Sequence, residues 1–419
     1  MVDLTPVGPR APGSPSILRR LNVARVLRTI RDQGPMPRSE VVQVSGISKP
    51  TVNEVVETLL AEGLITESIG AGPAATRPRR PGPRARLLRF NSRRWLIAGV
   101  DVEASRILVL LSDLDGTILS TARRPTPKNL QPDDVLRAVR HTIRDTVAHA
   151  DVGWESVKLV TVGTPGIVDP DTGTVRLAPQ LPGWEGRPLR QLLTDALATP
   201  VLLEHDVYLA VTGEHWRGVA AGSQSAAYLQ IDVGVGMGFL INGTIYTGAA
   251  GAAGEVGYLP IAPGQPSTDQ PTGLGPFEAA VGATAITTLA NQAIADGTGT
   301  NIQRTAVGDV TTTAVLTAAR QGDPTATTII NTILDKLTTG LACIAAILNP
   351  EIIVLGGEVG TQLNDYTARL QQHLNRSIPN PPRIHITQLQ DQAVALGAVR
   401  RGIHHIEAQI FDQIGANTT

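Results

Sequence analysis

Lys49, Thr51 and Asn53 are polar side chains at the start of a predicted helix, directly after a turn at Gly46. Ammonium, hydroxyl and amide groups form hydrogen bonds with base edges and phosphate oxygens of DNA. We therefore take these three residues as candidate base-reading residues. Arg38 and Ser48, in the same stretch, are further candidate DNA contacts.

Two short helices are predicted to position these side chains. Gly46 lies where the first helix must end, because glycine enters the left-handed backbone region without steric cost. Ser48 is suited to cap the second helix. The apolar residues Val52, Val55, Val56 and Leu59 recur at the spacing of one buried helical face. The pattern is typical of a helix-turn-helix, whose second helix enters the major groove; an ordinary helical hairpin of a protein core is the alternative.

The charge distribution favours the DNA-binding interpretation. The chain has a net charge of -1, but residues 1–94 hold 16 Lys+Arg against 7 Asp+Glu, which leaves 20 against 30 for the remainder. Clustered positive charge drives binding to polyanions through counterion release. The basic part of the chain is also the part that carries the predicted helix pair.

A wing is predicted to complete this domain. The segment LITES and the later segment RLLRFN read as two paired strands, and a Gly-, Pro- and Arg-rich loop joins them. Basic arms of this kind bind phosphates or the minor groove, although a solvated linker is the alternative. No aromatic residue interleaves these arginines, so duplex DNA is a better partner than unpaired bases. The candidate wing contacts are Arg77, Arg79, Arg80, Arg84 and Arg86.

The remainder of the chain contains an internal repeat. In the first copy a strand and then DGTI follow the run IAGVDV. In the second copy a strand and then NGTI follow the run YLQIDV, so that Asp101 matches Asp232. Each copy is followed by helices that alternate with strands. The repeat predicts a duplicated α/β fold with a cleft between two lobes, which suits a nucleotide or a sugar.

Composition and length bound the class of protein. A length of 419 residues and a hydrophobic content of 42% predict more than one globular domain. We predict a disordered tail over residues 1–15, a winged helix-turn-helix over 16–92 and a body over 93–419, with lobes of about 93–215 and 216–419. No apolar run suggests a membrane span or a secretory signal, so a cytoplasmic protein, nucleoid-associated when bound to DNA, is expected. The single cysteine, Cys343, lies in an apolar run and is expected to be buried.

Several segments of the body resemble the ROK family, a group of repressors, open reading frames and sugar kinases. They are GTPGIVDP (163–170), LPGW (181–184), EHD (204–206), DVGVGMG (232–238), GAAGEVGY (251–258) and VLGGEV (354–359), in the order and spacing of that family. The resemblance implies an actin-like ATPase fold. It also implies that Asp206 matches the catalytic base of the kinases and that Glu255 and Glu278 match carboxylates that bind sugar hydroxyls.

The resemblance supplies two sets of candidate site residues. The ligand-binding set is Gly163, Pro165, His205, Asp206, Glu255, Tyr258 and Glu278. The set that matches the nucleotide site is Asp101, Glu103, Gly234, Gly236, Gly356 and Gly357. As an alternative, Asp206, Glu255 and Glu278 are inherited residues that now only cap helices or pair with arginines.

Departures from the family pattern suggest lost chemistry. The kinases carry Asp-x-Gly-Gly-Thr at the first phosphate turn, whereas this chain has Glu103 and Ala104 in place of the glycines. A carboxylate there would repel a polyphosphate, and both Cβ atoms would obstruct close backbone approach. The family's zinc-binding histidine is replaced by Tyr258, and its cysteines are missing. No cofactor is therefore expected: the structural zinc site is absent, and ATP and Mg²⁺ binding is doubtful.

These observations predict a ROK-type transcriptional regulator, a repressor controlled by a sugar or sugar-derived ligand, without phosphoryl transfer. Its expected partners are a double-stranded DNA operator, the sugar ligand and further copies of the chain in a homodimer or homotetramer. An active sugar kinase that also binds DNA is the alternative. A third possibility is a regulator whose body binds no ligand and only dimerises.

Overall fold

The computed structural model describes residues 15–69, 86–127, 132–181, 183–261, 274–298, 302 and 308–416. The predicted tail, apart from Pro15, lies outside them. The chain divides into two compact units. The first comprises residues up to Leu96 together with Asp113–Thr117 and the residues from Ile403, and the second comprises Ile97–Ser112 and Ile118–Gly402. The predicted body thus contributes three segments to the first unit: residues 93–96, Asp113–Thr117 and the residues from Ile403.

The first unit contains a winged helix. Its elements are α1 (Pro15–Gln33), β1 (Met36–Pro37), α2 (Arg38–Ser45), α3 (Lys49–Ala61), β2 (Ile65–Ile69) and β3 (Arg86–Phe90). The strands form an antiparallel sheet in the order β1-β3-β2. The predicted ribbon of two strands is therefore present, and the short strand β1 joins it from the other side.

Local sequence accounts for the helix-turn-helix. Gly46 has φ 65°, and its N–H donates to the Val42 carbonyl at 3.1 Å, which ends α2. Ser48 caps α3 by accepting from the Thr51 N–H at 3.4 Å. Val52, Val55, Val56 and Leu59 are buried as predicted. The face of α1 that packs inward holds Val23, Val26, Leu27 and Ile30, whereas Leu21 lies on the outer face and is exposed.

The second unit holds two lobes of α/β structure. In the first lobe the elements are β4 (Leu96–Val102), β5 (Arg106–Ser112), β6 (Ile118–Pro125), α4 (Pro132–His149), β7 (Val157–Thr164), β8 (Ile167–Val168), β9 (Val175–Arg176), α5 (Leu189–Leu197), β10 (Val201–His205) and α6 (Asp206–Arg217). Its main sheet has the order β6-β5-β4-β7-β10. The first three strands are antiparallel, and β7 and β10 are parallel to each other.

The second lobe repeats this arrangement. Its elements are β11 (Ala226–Ile231), β12 (Val235–Ile241), β13 (Thr244–Ile245), α7 (Glu278–Val281), α8 (Ala283–Ala295), α9 (Thr312–Arg320), α10 (Pro324–Leu348), β14 (Ile352–Gly356), α11 (Gly357–Thr361), α12 (Thr367–Ser377) and β15 (Arg383–Ile386). The sheet order β13-β12-β11-β14-β15 follows that of the first lobe strand for strand. This correspondence confirms the duplicated fold. The last described element is α13 (Ala393–Ala416).

Helix α10 corrects two expectations. It has 25 residues and is long and apolar enough to cross a membrane by length and composition, although no such run was expected. More than half of its most apolar window, 56%, is buried inside the fold, as in the core helix of a globular protein. Cys343 lies on its exposed side. The expectation of a buried cysteine was wrong, because an apolar run around a helix also places residues on the outward face.

Candidate functional site

The candidate base-reading residues lie at the N-terminal end of α3, away from its buried face. Lys49 is exposed, and Thr51 and Asn53 are half-buried. The Thr51 hydroxyl lies 2.8 Å from Ser48 Oγ, so it takes part in the cap of the helix. The amide side chain of Asn53 takes no part in capping the helix. These positions remain predictions, and Asn53 is the strongest candidate among them.

The arginine candidates fall into two groups. Arg77, Arg79, Arg80 and Arg84 belong to residues 70–85 and lie outside the described residues. Arg38, at the start of α2, and Arg86, at the start of β3, are described, and both form ion pairs with Glu67. The structure therefore shows the base of the wing and its attachment to the helix pair.

A cavity of about 1070 Å³ lies in the second unit and receives residues from both lobes. It brings together most of the predicted ligand and nucleotide residues, which are Asp101, Glu103, Pro165, His205, Asp206, Gly234, Gly236, Glu255, Tyr258, Glu278 and Gly357. Many of them lie at strand ends and helix starts: Asp206 begins α6 and Glu278 begins α7. The duplicated topology explains this convergence, since equivalent strand ends meet at the cleft.

Two predicted glycines do not line this cavity. Gly163 lies within β7, where a Cβ would come within 2.6 Å of Val394 Cγ1. Gly356 ends β14, where a Cβ would meet the Tyr228 hydroxyl at 1.9 Å. Both positions need glycine because neighbouring side chains pack against the backbone. Their observed role is packing around the cleft.

The first phosphate turn is filled by an ion-pair network. Arg106 Nη2 donates to Asp101 Oδ2 at 3.1 Å, to Glu103 Oε1 at 2.7 Å and to the Asp391 carbonyl at 3.1 Å. The other Glu103 oxygen accepts from Ser105 Oγ at 3.3 Å. Arg106 thus offsets the charge of Glu103, so the repulsion of a phosphate by Glu103 is weaker than the sequence suggests. The side chains of Glu103 and Arg106 occupy the turn that matches the first phosphate turn of the kinases.

The second turn keeps its open backbone. Asp232 Oδ1 accepts from the Glu358 N–H, and burial raises the pKa of Asp232 to about 6. Gly357 has φ 80°, and a Cβ there would lie 2.6 Å from the Ile231 carbonyl. A Cβ on Gly234 would approach Gln180 Nε2 to 2.4 Å. The turn after Asp232 therefore retains, at Gly234, the glycine that the first turn has lost at Glu103.

Buried acidic groups form the remaining part of the cleft. Asp206 is 5% exposed; its Oδ1 accepts from the Val207 N–H at 2.7 Å and lies 3.3 Å from His205 Nε2. Burial raises the pKa of Asp206, and the nearby carboxyls of Glu103, Asp232 and Glu255 contribute to the resulting value of about 8. Burial lowers the pKa of His205 to about 4. The pair is therefore neutral near pH 7.

Glu278 and Glu255 complete this group. Glu278 Oε2 accepts from the Val235 N–H at 3.1 Å, and burial raises the pKa of Glu278 to about 7. The pKa of Glu255 is also raised by burial. Glu278 Oε1 and His205 Nδ1 are buried and have no hydrogen-bond partner within the described part of the chain. Protonated and ionised carboxyls together offer both donors and acceptors to a hydroxylated ligand.

Sequence reasoning missed Arg106, Tyr208 and Gln180. Arg106 opens an otherwise apolar strand, and that anomaly was the available signal. Tyr208 Oη lies 2.9 Å from the carbonyl oxygens of Gly251 and Ala253, so Tyr208 anchors the loop that precedes Glu255. Its ring also meets the His205 ring edge to face at 5.1 Å. Nothing in the local sequence of Tyr208 or Gln180 indicates these contacts.

Tyr258 lies in the part of the chain where the resemblance places the family's zinc site. Tyr258 stands where a histidine would bind the metal; it lines the cavity and is 40% exposed. Residues 262–273, in the stretch that lacks the family's cysteines, lie outside the described residues. Within the described ranges no group of three His, Cys, Asp or Glu side chains is arranged to hold a metal ion.

Fold and site together define a winged-helix protein with a two-lobed, sugar-kinase-like body. The ROK family model matches residues 97–401, and a winged helix-turn-helix DNA-binding model matches residues 22–66. The chain belongs to the ROK family.

Three known proteins show which members it resembles. The xylose repressor of Caldicellulosiruptor bescii is 26% identical over 92% of this chain and 96% of its own length. The glucokinase of Thermotoga maritima is 31% identical, over 63% of this chain and 82% of its own. A crystal structure of a ROK family transcriptional regulator, a homologue of the E. coli MLC protein, superposes with a TM-score of 0.73 at 20% identity and covers 94% of this chain and 98% of the other. The similarity to regulators extends through the winged helix. The chain is a DNA-binding transcriptional regulator of the ROK family.

Proposed function

We propose that this regulator is a repressor, that a sugar or sugar-derived molecule bound in the cleft controls it, and that the cleft no longer transfers phosphate. The protein would act in the cytoplasm, on the nucleoid when bound to DNA, as a homodimer or homotetramer. The relatives support this proposal by their names, since repressors named for xylose and for N-acetylglucosamine resemble the chain along most of its length.

The observation that carries the sugar proposal is a pair of buried polar atoms without hydrogen-bond partners in the described part of the chain, on two side chains that line the cavity. Buried polar groups in proteins are nearly always hydrogen-bonded. Glu278 Oε1 and His205 Nδ1 lack partners among the described residues, and both side chains line the cavity. A ligand with several hydroxyl groups would supply both missing hydrogen bonds. This speaks against the interpretation of these carboxylates as inherited remnants.

Loss of phosphoryl transfer is supported by the first turn. Asp101 is the acidic residue that matches the metal-binding position of the kinases, and its Oδ2 is taken by Arg106. Glu103 and Ala104 have side chains where the family has glycine, so backbone N–H groups are obstructed from approaching a phosphate. The retained Asp206 and the retained second glycine turn favour the alternative, an active kinase. The same experiment tests both interpretations.

A sugar that binds the cleft is expected to raise the unfolding temperature of the wild-type protein without supporting ADP release from ATP. Ligand binding to the folded state at a concentration of 100 Kd stabilises it by about 2.7 kcal/mol. A panel of pentoses, hexoses and amino sugars at millimolar concentration, followed by thermal unfolding and by a coupled ADP assay, measures both quantities.

The matched control for this experiment is Glu278→Gln, which keeps the side-chain shape and is expected to remove most of the stabilisation. If no sugar stabilises the wild type, the body only dimerises and the sugar proposal fails. Sustained ADP release that disappears in Asp206→Asn would establish the kinase instead.

Replacing Asn53 by alanine is expected to weaken binding to the operator by about 1–3 kcal/mol and to relax base preference at one position. The amide lies on the side of α3 that the core leaves free, so its loss removes base contacts without a packing defect. Titration of labelled duplexes, with every base pair varied in turn, measures the effect.

Thr58→Ala is the control in the same helix, because within the described ranges the Thr58 hydroxyl bonds only to the Glu54 carbonyl, at 3.0 Å. It should bind all duplexes like the wild type. Equal losses on operator and random DNA for Asn53→Ala would contradict a base-reading role.

A further inference from the structure

Four charged side chains form one cluster where the wing meets the helix pair. Glu67, on β2, uses its two oxygens for two different arginines: Oε1 lies 3.2 Å from Arg38 Nε, and Oε2 lies 3.0 Å from Arg86 Nη1. Arg38 also bonds through Nη1 to Glu57 Oε1 of α3 at 2.8 Å. The cluster therefore links the start of α2, the middle of α3 and both wing strands.

Burial distinguishes Glu67 from its partners. Its side chain is 15% exposed, against 30% for Arg38 and 71% for Arg86. Burial by itself would raise the pKa of Glu67, but the hydrogen bonds and charges of Arg86 and Arg38 lower it overall. An isolated surface ion pair contributes little to stability, whereas a network with one shared, half-buried carboxylate restricts both cations.

The arginines keep hydrogen-bonding capacity for a further anion. A guanidinium has five N–H donors, and the contacts with Glu57 and Glu67 use Nε and Nη1 of Arg38 and only Nη1 of Arg86. Arg86 pairs with Ile69 at the point where the strands leave for the arginine-rich loop. Two oriented guanidinium groups thus lie on the winged helix, one at a helix start and one at the base of the wing.

We propose that Glu67 is a positioning residue for DNA recognition, which holds Arg38 and Arg86 as a two-point phosphate clamp and thereby increases discrimination between operator and other DNA. Guanidinium groups held in place lose less conformational freedom when phosphates arrive at the matching spacing. The carboxylate also offsets part of the positive charge, which reduces attraction to DNA of any sequence. The proposal rests on the DNA-binding function of the chain.

Glu67→Gln in the full-length protein tests this role. Two duplexes are titrated at several salt concentrations. The wild-type protein selects the first from a random library, and the second is a scrambled duplex of equal composition. Because the amide cannot hold two guanidinium groups by charge, the ratio of the two affinities is expected to fall about tenfold. Affinity for scrambled DNA should rise, with a salt slope steeper by about one.

Two further variants separate geometry from charge. Glu40→Gln removes the same charge from an exposed residue of α2 that forms no ion pair with the described residues, and it should leave the ratio unchanged. Arg38→Lys keeps the charge but cannot bridge Glu57 and Glu67 in the same way, and it should lower the ratio as well. Arg38→Lys carries the test if Glu67→Gln fails to fold.

An unchanged affinity ratio in the folded variants, whether both affinities rise or both fall, overturns the positioning role. A wild-type protein that selects no duplex from the library would instead contradict DNA recognition itself. The two failures are therefore distinguishable.

Discussion

Asp206→Asn is expected to stabilise the unliganded protein, and its advantage over the wild type should grow by roughly 2 kcal/mol between pH 6.5 and pH 8. Burial raises the pKa of Asp206 to about 8 from its ordinary value of 3.8. Between these two values the folded state keeps a proton that the unfolded state has released. Wild-type stability therefore falls as pH rises through this window, by up to about 1.4 kcal/mol per pH unit for this one group.

Asparagine removes this dependence, because its amide stays neutral and still accepts a hydrogen bond from the Val207 N–H. The depressed pKa of His205, about 4, acts in the opposite direction, because it makes the protein lose stability as pH falls below about 6.5. The window from pH 6.5 to pH 8 lies above that range. Glu278 and Asp232 also have raised pKa values, so the variant should keep a smaller slope.

Thermal or urea unfolding across this pH range measures the difference. Asp195→Asn, at an exposed position of α5, is the control and should follow the wild type. A constant difference between Asp206→Asn and the wild type at all pH values would show that Asp206 is not protonated in the folded cleft. The result bears on ligand binding, because a neutral Asp206 donates a hydrogen bond that an ionised one cannot.

Gly397→Ala is expected to destabilise the second unit by about 3 kcal/mol and to lower its unfolding temperature by roughly 5–10 °C. Gly397 in α13 faces α6, and a Cβ there would lie 1.8 Å from the Leu209 carbonyl and 3.0 Å from the Gly213 N–H. The clash involves backbone atoms, so the two helices must separate. In an open helix the same substitution stabilises by up to about 1 kcal/mol, which makes the sign of the effect diagnostic.

Gly360→Ala is the matched control, because the nearest atoms to its Cβ would lie 3.5 Å away, at ordinary contact distance. We expect it to be neutral or slightly stabilising. Gly213→Ala should resemble Gly397→Ala, since its Cβ would approach the Ala393 carbonyl to 2.2 Å. Calorimetry of the three variants checks this set, and a stabilised Gly397→Ala would show that the helices lie farther apart.

The contacts that make Gly397 important also border the cleft. Ala393 and Val394, at the start of α13, line the cavity, and Ala393 packs against Gly213 of α6, the helix that Asp206 begins. A substitution that separates α6 from α13 would therefore disturb the position of Asp206 as well. Reduced sugar binding in Gly213→Ala and Gly397→Ala, measured by calorimetric titration at a temperature where both remain folded, would agree with this arrangement.

Some features of this protein follow from the sequence alone. The helix-turn-helix depends on a glycine in a left-handed turn, a serine cap and an apolar face, all of which act within a few residues. The duplicated lobes are visible because both copies preserve the same local strand and turn pattern. Asp206 and Glu255 could be proposed as ligand residues because they lie in the short motifs EHD and GAAGEVGY, which resemble those of the family.

Other features needed the tertiary structure. Arg106 bonds to Glu103, three residues away, and also to the Asp391 carbonyl, 285 residues away in sequence, so a distant segment helps to hold Arg106 beside Glu103. The low pKa of His205 and the high pKa of Asp206 depend on burial between elements from distant parts of the chain. Exposure of Leu21 and Cys343 was likewise decided by which helix face packs inward. Local periodicity and turn chemistry act over a few residues, whereas burial and charge pairing depend on which distant segments meet.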